Sequence, residues 1–264
     1  MRANKRKIKK WTLLFASVFF FLCFGKIRLQ NSSANACYGW EKIAGYTTYF
    51  SQNDGGRCEN IAIAARLIDG ITLQAYGVFS FNKTVGRRTA EAGFKQAKII
   101  VNGEYVEGVG GGVCQVSTTL YNAAIKSGLI VTEFHPHTLQ VGYVAPSRDA
   151  MVSMQSDLQL FNPHAFAVYL SAKVFDGGVQ ICFYGKNEGY RYEIISQIKE
   201  KILPPAPIVK EGEREEILRA EKAGIKSESF VECYYKNSLI SKKRLRVDEY
   251  RPIQGIIVKK LPKK

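Results

Sequence analysis

Four glycines within five positions run directly into a helix-forming stretch in GVGGGVCQVSTTLYNAAIKSGL, residues 108–129. No regular element tolerates glycine at that density, so the chain here must turn or pass close to another part of the molecule. From Val116 the apolar or small residues Val116, Leu120, Ala123 and Ala124 recur at helical spacing, Gln115, Thr119 and Asn122 fall on another face, and Gly128 is placed to end the helix. Cys114 therefore falls in or just before the first turn. Unpaired N–H groups and the positive end of the helix dipole favour an anion there. A thiolate is an anion, so a lowered pKa is expected for Cys114 and, with a base nearby, nucleophilic chemistry. The plainer alternative is a glycine turn that packs a structural cysteine under a helix. A phosphate loop is excluded, because the pattern G-x-x-x-x-G-K-[ST] is missing.

A base is offered about twenty residues on, in EFHPHTLQVGYVAPSRDAMV, residues 133–152. LQVGYV reads as a strand running beside the helix, and His137 at its start can face the thiol. Asp149 is the candidate for orienting that ring, and His135 is a second candidate base. Backbone N–H groups from Gly112 through Val113 to Gln115 are candidate oxyanion donors, and the Gln115 and Ser117 side chains are candidates for donating to or orienting substrate. Helix capping is the plainer role for Ser117. His164, in LFNPHAF, reads as a turn residue. The six cysteines contain no CxxC pair and combine with the three histidines at no zinc spacing, so no metal and no cofactor are expected. Cys182 and Cys233 read as small buried hydrophobes, whereas Cys37 and Cys58 are placed to pair in an exported chain.

The formal charge of +15 suggests a nucleic-acid partner until it is partitioned. Residues 1–10 carry +6, residues 236–264 carry +8, and +1 remains for residues 11–235. A nucleic-acid binder places its basic stripe on the folded body, so no nucleic-acid partner is expected. The first excess precedes WTLLFASVFFFLCFG, residues 11–25, an apolar run with the flanks of an export signal. It either stays as a single membrane anchor or is cleaved to release the chain, and both outcomes place the folded part outside the membrane. The basic tail reads as a solvated face that can also meet anionic wall polymers.

The expected architecture is α+β, an antiparallel sheet packed on the signature helix, with an N-terminal membrane segment and a small β-rich C-terminal subdomain. The expected division is residues 1–25 as signal or anchor, 26–45 as connector, 46–185 as the main domain, and 186–264 as a charged linker with a small β-rich region. Asn60 to Ile68 reads as a helix; GVFSFN, KQAKIIV, VGYVAP, DLQLFN, AFAVYLSAKVF and GVQICFYG read as strands. Asn102-Gly103, Asp176-Gly177-Gly178 and Lys236-Asn237 mark turns.

YTTYFSQN, NIAIAARLIDG, GVFSFNKTVGRRTAEAGF, GVGGGVCQVSTTLYNA, HPHTLQVGYVAPSRDAMV and DLQLFNP follow one another over residues 46–163. In that order they resemble the VanW domain family, named for an accessory protein of vancomycin-resistance gene clusters. The resemblance implies action on the cell wall: proteins with this domain include L,D-transpeptidases of clostridial peptidoglycan that use the cysteine of the signature. Carried over, the nucleophile is Cys114, the histidine before the YVP-like segment is His137, and the DA dipeptide is Asp149-Ala150. The chain departs from the family's YVPxGxDA pattern in having Ala145-Pro146-Ser147-Arg148, and has Gln74-Ala75-Tyr76-Gly77 where a Pro-Gly-Glu turn is common. The expected function is thus a cysteine-dependent L,D-transpeptidase of the cell envelope, with peptidoglycan stem peptides as partners. A papain-like peptidase or amidase of the wall and a non-catalytic glycopeptide-resistance module are the alternatives.

Overall fold

The computed structural model describes residues 39–101 and 103–260. The order of elements is β1 (Glu41–Tyr49), α1 (Gly55–Ile68), β2 (Thr72–Leu73), β3 (Val78–Ser80), α2 (Phe81–Val85), β4 (Gln96–Val101), β5 (Glu104–Val109), α3 (Val113–Lys126), β6 (Ile130–Glu133), β7 (Gln159–Phe161), β8 (Val168–Phe175) and β9 (Gly178–Gly185). Then come β10 (Tyr190–Ile202), β11 (Ile208–Gly212), β12 (Glu216–Arg219), β13 (Gly224–Tyr235), β14 (Ser238–Tyr250) and β15 (Ile256–Lys260). The chain is mostly β-sheet with few helices, an α+β arrangement. Among the described residues no helix is long and apolar enough to cross a membrane. The apolar run at 11–25 and Cys37, with the expectations attached to them, lie outside the described residues.

The signature helix α3 is the centre of the molecule. Every residue of it except Cys114 and Lys126 is buried. It packs on β1 and β9 of the antiparallel sheet ordered β1-β9-β8-β2, while α1 covers β8 and touches α3. Ile61 and Ile68 of α1, Leu120 of α3, and Ile181 and Phe183 of β9 form the core between them. A helix buried on all sides must satisfy its polar side chains internally. Thr119 Oγ1 shares a hydrogen bond of 2.7 Å with Thr48 Oγ1, and Asn122 Nδ2 donates to Arg148 O at 2.7 Å.

The glycine run is held from α1. Asn60, fully buried, donates through Nδ2 to Lys95 O and Gly111 O, each at 2.9 Å, and accepts from Lys95 N–H at 2.7 Å. A Cβ on Gly111 would come within 2.6 Å of Lys98 O, so this backbone passes too close to β4 for any side chain. The expected turns are present: β4 and β5 pair across Gly103, β8 and β9 across Gly177, and β13 and β14 across Lys236-Asn237, whose φ angles of 46° and 69° suit a tight hairpin.

Three expectations are corrected. GVFSFN is a strand only to Ser80, because the Ser80 side chain accepts from Lys83 N–H and caps the short helix α2. VGYVAP is not a strand: residues 134–158 contain neither helix nor strand, and Pro136 and Pro146 remove donors from any ladder. Helix side chains hold this segment instead, with Ser117 Oγ donating to Ala150 O at 2.6 Å and Ala150 N–H donating to Thr118 Oγ1 at 2.9 Å. The charged stretch at 190–202 is not a linker but the long strand β10, paired with β13 along its length.

Candidate functional site

Cys114 is the second residue of α3, behind Gly112 at the N-cap with φ of 105°. A Cβ on Gly112 would crowd Arg57 and Ile61 at 3.0–3.1 Å, so the left-handed turn that presents the cysteine is reserved for glycine. The half-buried Sγ accepts from Val152 N–H at 3.5 Å. Burial pushes the thiol up. The hydrogen bond and positive charge of His137, the Val152 amide and the positive charge of Arg88 outweigh it, and the net pKa is below the ordinary value.

His137 is 5% exposed and lies on the irregular segment, with Nδ1 2.7 Å from Asp149 Oδ2. The same carboxylate oxygen accepts the His137 backbone N–H at 2.7 Å, which fixes the ring's position as well as its tautomer. Burial pulls His137 down, but the hydrogen bonds and charges of Asp149 and Cys114 raise it to about 9. A thiol held low beside an imidazole held high favours the thiolate–imidazolium pair over the neutral one.

Asp149, 1% exposed, is itself held by residues far along the chain. Oδ1 accepts from Arg246 Nη2 at 3.0 Å and from the Tyr250 hydroxyl, while Arg246 Nε donates to Asp248 at 2.6 Å. Burial pushes the carboxyl up; His137, Arg246 and Tyr250 overcome it and hold it at about 2. Arg246, Asp248 and Tyr250 alternate on the inward face of β14, with Val247 pointing outward at 59% exposure. The reading of the basic tail as a solvated face is therefore wrong for Arg246. The signal for this trio was an alternation with polar residues on one face and an apolar residue between them, the reverse of the usual strand pattern.

The structure brings Cys114, His137 and Asp149 together: Cys114 and His137 line a cavity of about 550 Å3, which Gly112, Val113 and Gln115 also line, and Asp149 lies buried behind the His137 ring. The Gln115 amide hydrogens go to Thr48 Oγ1 and Tyr49 O at 3.1 and 2.9 Å, and its Oε1 accepts from Arg57 at 2.6 Å. Val113 N–H and Gln115 N–H donate to Gly110 O and Gly112 O. Ser117 is turned away to bind Cys114 O and Ala150 O. His135 does not line the cavity; its Nε2 lies 3.0 Å from Glu133. His164 sits in its turn with Nε2 3.1 Å from Ser127 O. Arg57, Arg88 and Tyr143 also line the cavity and had no sequence signal of their own. Burial, with the Cys114 charge behind it, raises the Tyr143 phenol, which stays protonated. Among the described residues no three of His, Cys, Asp and Glu gather as a metal site.

Fold and site together define an α+β domain built around a buried helix, with a thiol–imidazole–carboxylate chain at the start of that helix. Residues 56–184 match the family described as VanW like protein, so the chain carries a VanW-like domain. It is 39% identical over 168 residues to YoaR of Bacillus subtilis (strain 168), itself described as uncharacterized. That match covers 63% of this chain and 53% of YoaR, so the chain spans about half the length of this relative. Two solved structures cover parts of the chain. One, titled as the crystal structure of HP0197-G5, shares 13% identity at a TM-score of 0.16, covering 26% of this chain and 96% of its own. The other, an IgA1 protease G5 domain, shares 22% identity at a TM-score of 0.20, covering 28% and 89%. Ser147, where the family's YVPxGxDA pattern has glycine, takes φ of 56°, and its side chain and N–H are fixed by Ser227 Oγ and Tyr250 Oη.

Proposed function

We propose that this VanW-like chain is a cysteine acyltransferase of the cell envelope, of the L,D-transpeptidase type. The observation that carries the reading is the His137 ring: Asp149 takes Nδ1 at 2.7 Å, which leaves the other ring nitrogen for the Cys114 thiol. The thiolate attacks the carbonyl of the third residue of a tetrapeptide stem. The oxyanion that forms is met by the Cys114 N–H at the helix start, since the flanking amides are already bonded. Collapse breaks the amide bond, His137 gives its proton to the departing amine of the terminal D-alanine, and a thioester remains. An amine of a neighbouring stem then attacks, His137 takes its proton, and the thiolate leaves as the new amide forms. The reading places the folded part on the outer face of the membrane, where the N-terminal signal is expected to deliver it.

The test is incubation of the full chain, purified in detergent, and of its Cys114→Ala variant with disaccharide-tetrapeptides, followed by mass spectrometry. The expected result is a cross-linked dimer and released D-alanine, both lost in the variant. Release of D-alanine without dimer reassigns the site to hydrolysis, and identical spectra for the two proteins reject an enzymatic role.

A further inference from the structure

Three cations, Arg57, Arg88 and Lys98, line the cavity beside Cys114, and no aspartate or glutamate does. Among the described residues none of the three makes an ion pair with a carboxylate. Arg57 is engaged with Gln115 Oε1 at 2.6 Å and lies 5.9 Å from the Tyr143 ring centroid. Arg88 hydrogen-bonds to neutral groups, Asn82 Oδ1 at 2.5 Å and Ser153 O at 3.5 Å, lies 5.8 Å from the Phe81 ring, and feels the negative charges of Cys114 and Asp157 without direct contact. These bonds place a half-buried guanidinium that has no carboxylate in direct contact, and its planar fork matches one. The rest of the wall is largely apolar, with Ile99, Tyr105, Met151 and Met154. A ligand complementary to this lining has a negative end and an apolar body.

We propose that the cavity takes a peptide by its free C-terminal carboxylate, with Arg88 as the anchor, so that Cys114 meets the carbonyl one residue in from that terminus. The chemical step rests on the acyl-transfer reading; the binding step does not. A peptide ending in an amide, or continuing beyond that residue, leaves the guanidinium facing a neutral group in a partly dry site, and loses the charge-assisted pair. Selection of the chain end then follows from electrostatics, with no need for a closed pocket beyond it.

The experiment compares one tetrapeptide with a free C-terminal carboxylate and the same peptide with a C-terminal amide. Binding to the full-length Cys114→Ala protein in detergent is measured by calorimetry, and D-alanine or D-alaninamide release is measured with Cys114 intact. The carboxylate form is expected to bind roughly ten- to a hundredfold more tightly. In the same background Arg88→Gln is expected to bring the ratio close to one, Arg88→Lys to keep part of it, and Arg87→Gln, an exposed residue outside the cavity, to leave it unchanged. Should Arg88→Gln unfold, the Arg88→Lys ratio decides, and undiminished selectivity there rejects the anchor. Arg88-dependent selectivity without turnover upholds this inference while rejecting acyl transfer. Equal turnover of both peptides keeps acyl transfer and rejects this inference, and failure of the carboxylate peptide to bind also rejects it.

Discussion

Asp149→Asn removes one charge from the site and almost no volume. In the native chain burial alone would pull His137 below its ordinary 6.5; the hydrogen bonds and charges of Asp149 and Cys114 instead raise it to about 9. Without the Asp149 charge the imidazole is expected to fall part of the way toward the ordinary value, with the hydrogen bond and charge of Cys114 holding the rest. A fall of roughly 1 pH unit takes about 1.4 kcal/mol from the thiolate–imidazolium pair and lowers its ratio to the neutral pair roughly tenfold. The introduced amide also presents hydrogens where Arg246 Nη2 and the Tyr250 hydroxyl already donate, so about 2–3 kcal/mol of stability is expected to be lost with the charge-assisted bonds. The assay is iodoacetamide alkylation across pH, read at Cys114 by peptide mapping, with a melting curve to show that the variant is folded. Proton resonances of the three histidines, followed over the same pH range, report His137 directly. A variant that is folded and alkylates Cys114 at the native rate at neutral pH refutes the claim that the carboxylate sustains the ion pair.

Arg246→Met strips the cation from Asp149 and Asp248, and breaking a buried pair on one side costs about 3–5 kcal/mol, readable in urea denaturation. Combined with Asp149→Asn, the two losses are expected to sum to less than their separate values, since each variant breaks the same contact. Stability should also depend on pH at the acid end. Asp149 is lowered from 3.8 to about 2, so its contribution of about 2 kcal/mol is complete above 3.8 and is lost as pH falls through 2. Between 6.5 and 9 the raised His137 loses stability as pH rises while the lowered Cys114 gains it, and the two slopes oppose each other. Urea midpoints that stay flat as pH falls from 3.8 to 2 would contradict the assignment of Asp149. Gly111→Ala sets a methyl group 2.6 Å from Lys98 O and 2.8 Å from the Ala97 side chain, and the overpacking is expected to cost about 1–3 kcal/mol and to slow Cys114 alkylation by displacing the helix start.

What could be read from the sequence was local. The glycine run and the period of the helix placed Cys114 in the first turn, and the turn chemistry of Asp176-Gly177 and Lys236-Asn237 located two hairpins. His137 and Asp149 could be named from their distance along the chain, but for the wrong structural reason, because they lie on an irregular segment and not beside a strand. That segment has its backbone bonds satisfied by Ser117, Thr118 and Asn122 from the buried helix, and side chain-to-backbone bonds of this kind leave no period to detect. Arg57 and Arg88 are equally silent, since an arginine that lines a cavity looks the same in a sequence as one in solvent.

The longest reach in the site runs from Asp149 to β14, about a hundred residues away along the chain. An orienting carboxylate on an irregular segment has few ways to be held still, because its own backbone contributes no ladder. A guanidinium supplied by a hairpin strand paired along its length to β13 provides that rigidity from outside the segment. Arg246 also reaches the Asp149 backbone carbonyl, so the strand fixes the main chain as well as the carboxylate. Asp149 and Asp248 in turn neutralise Arg246, which otherwise would be an unpaired cation 3% exposed. The ion pair at Cys114 thus depends on a charge balance completed by a strand beyond the 56–184 family match: His137, the Val152 amide and Arg88 lower the thiol, Asp149 raises His137, and Arg246 and Tyr250 hold the Asp149 carboxyl low against the upward push of burial.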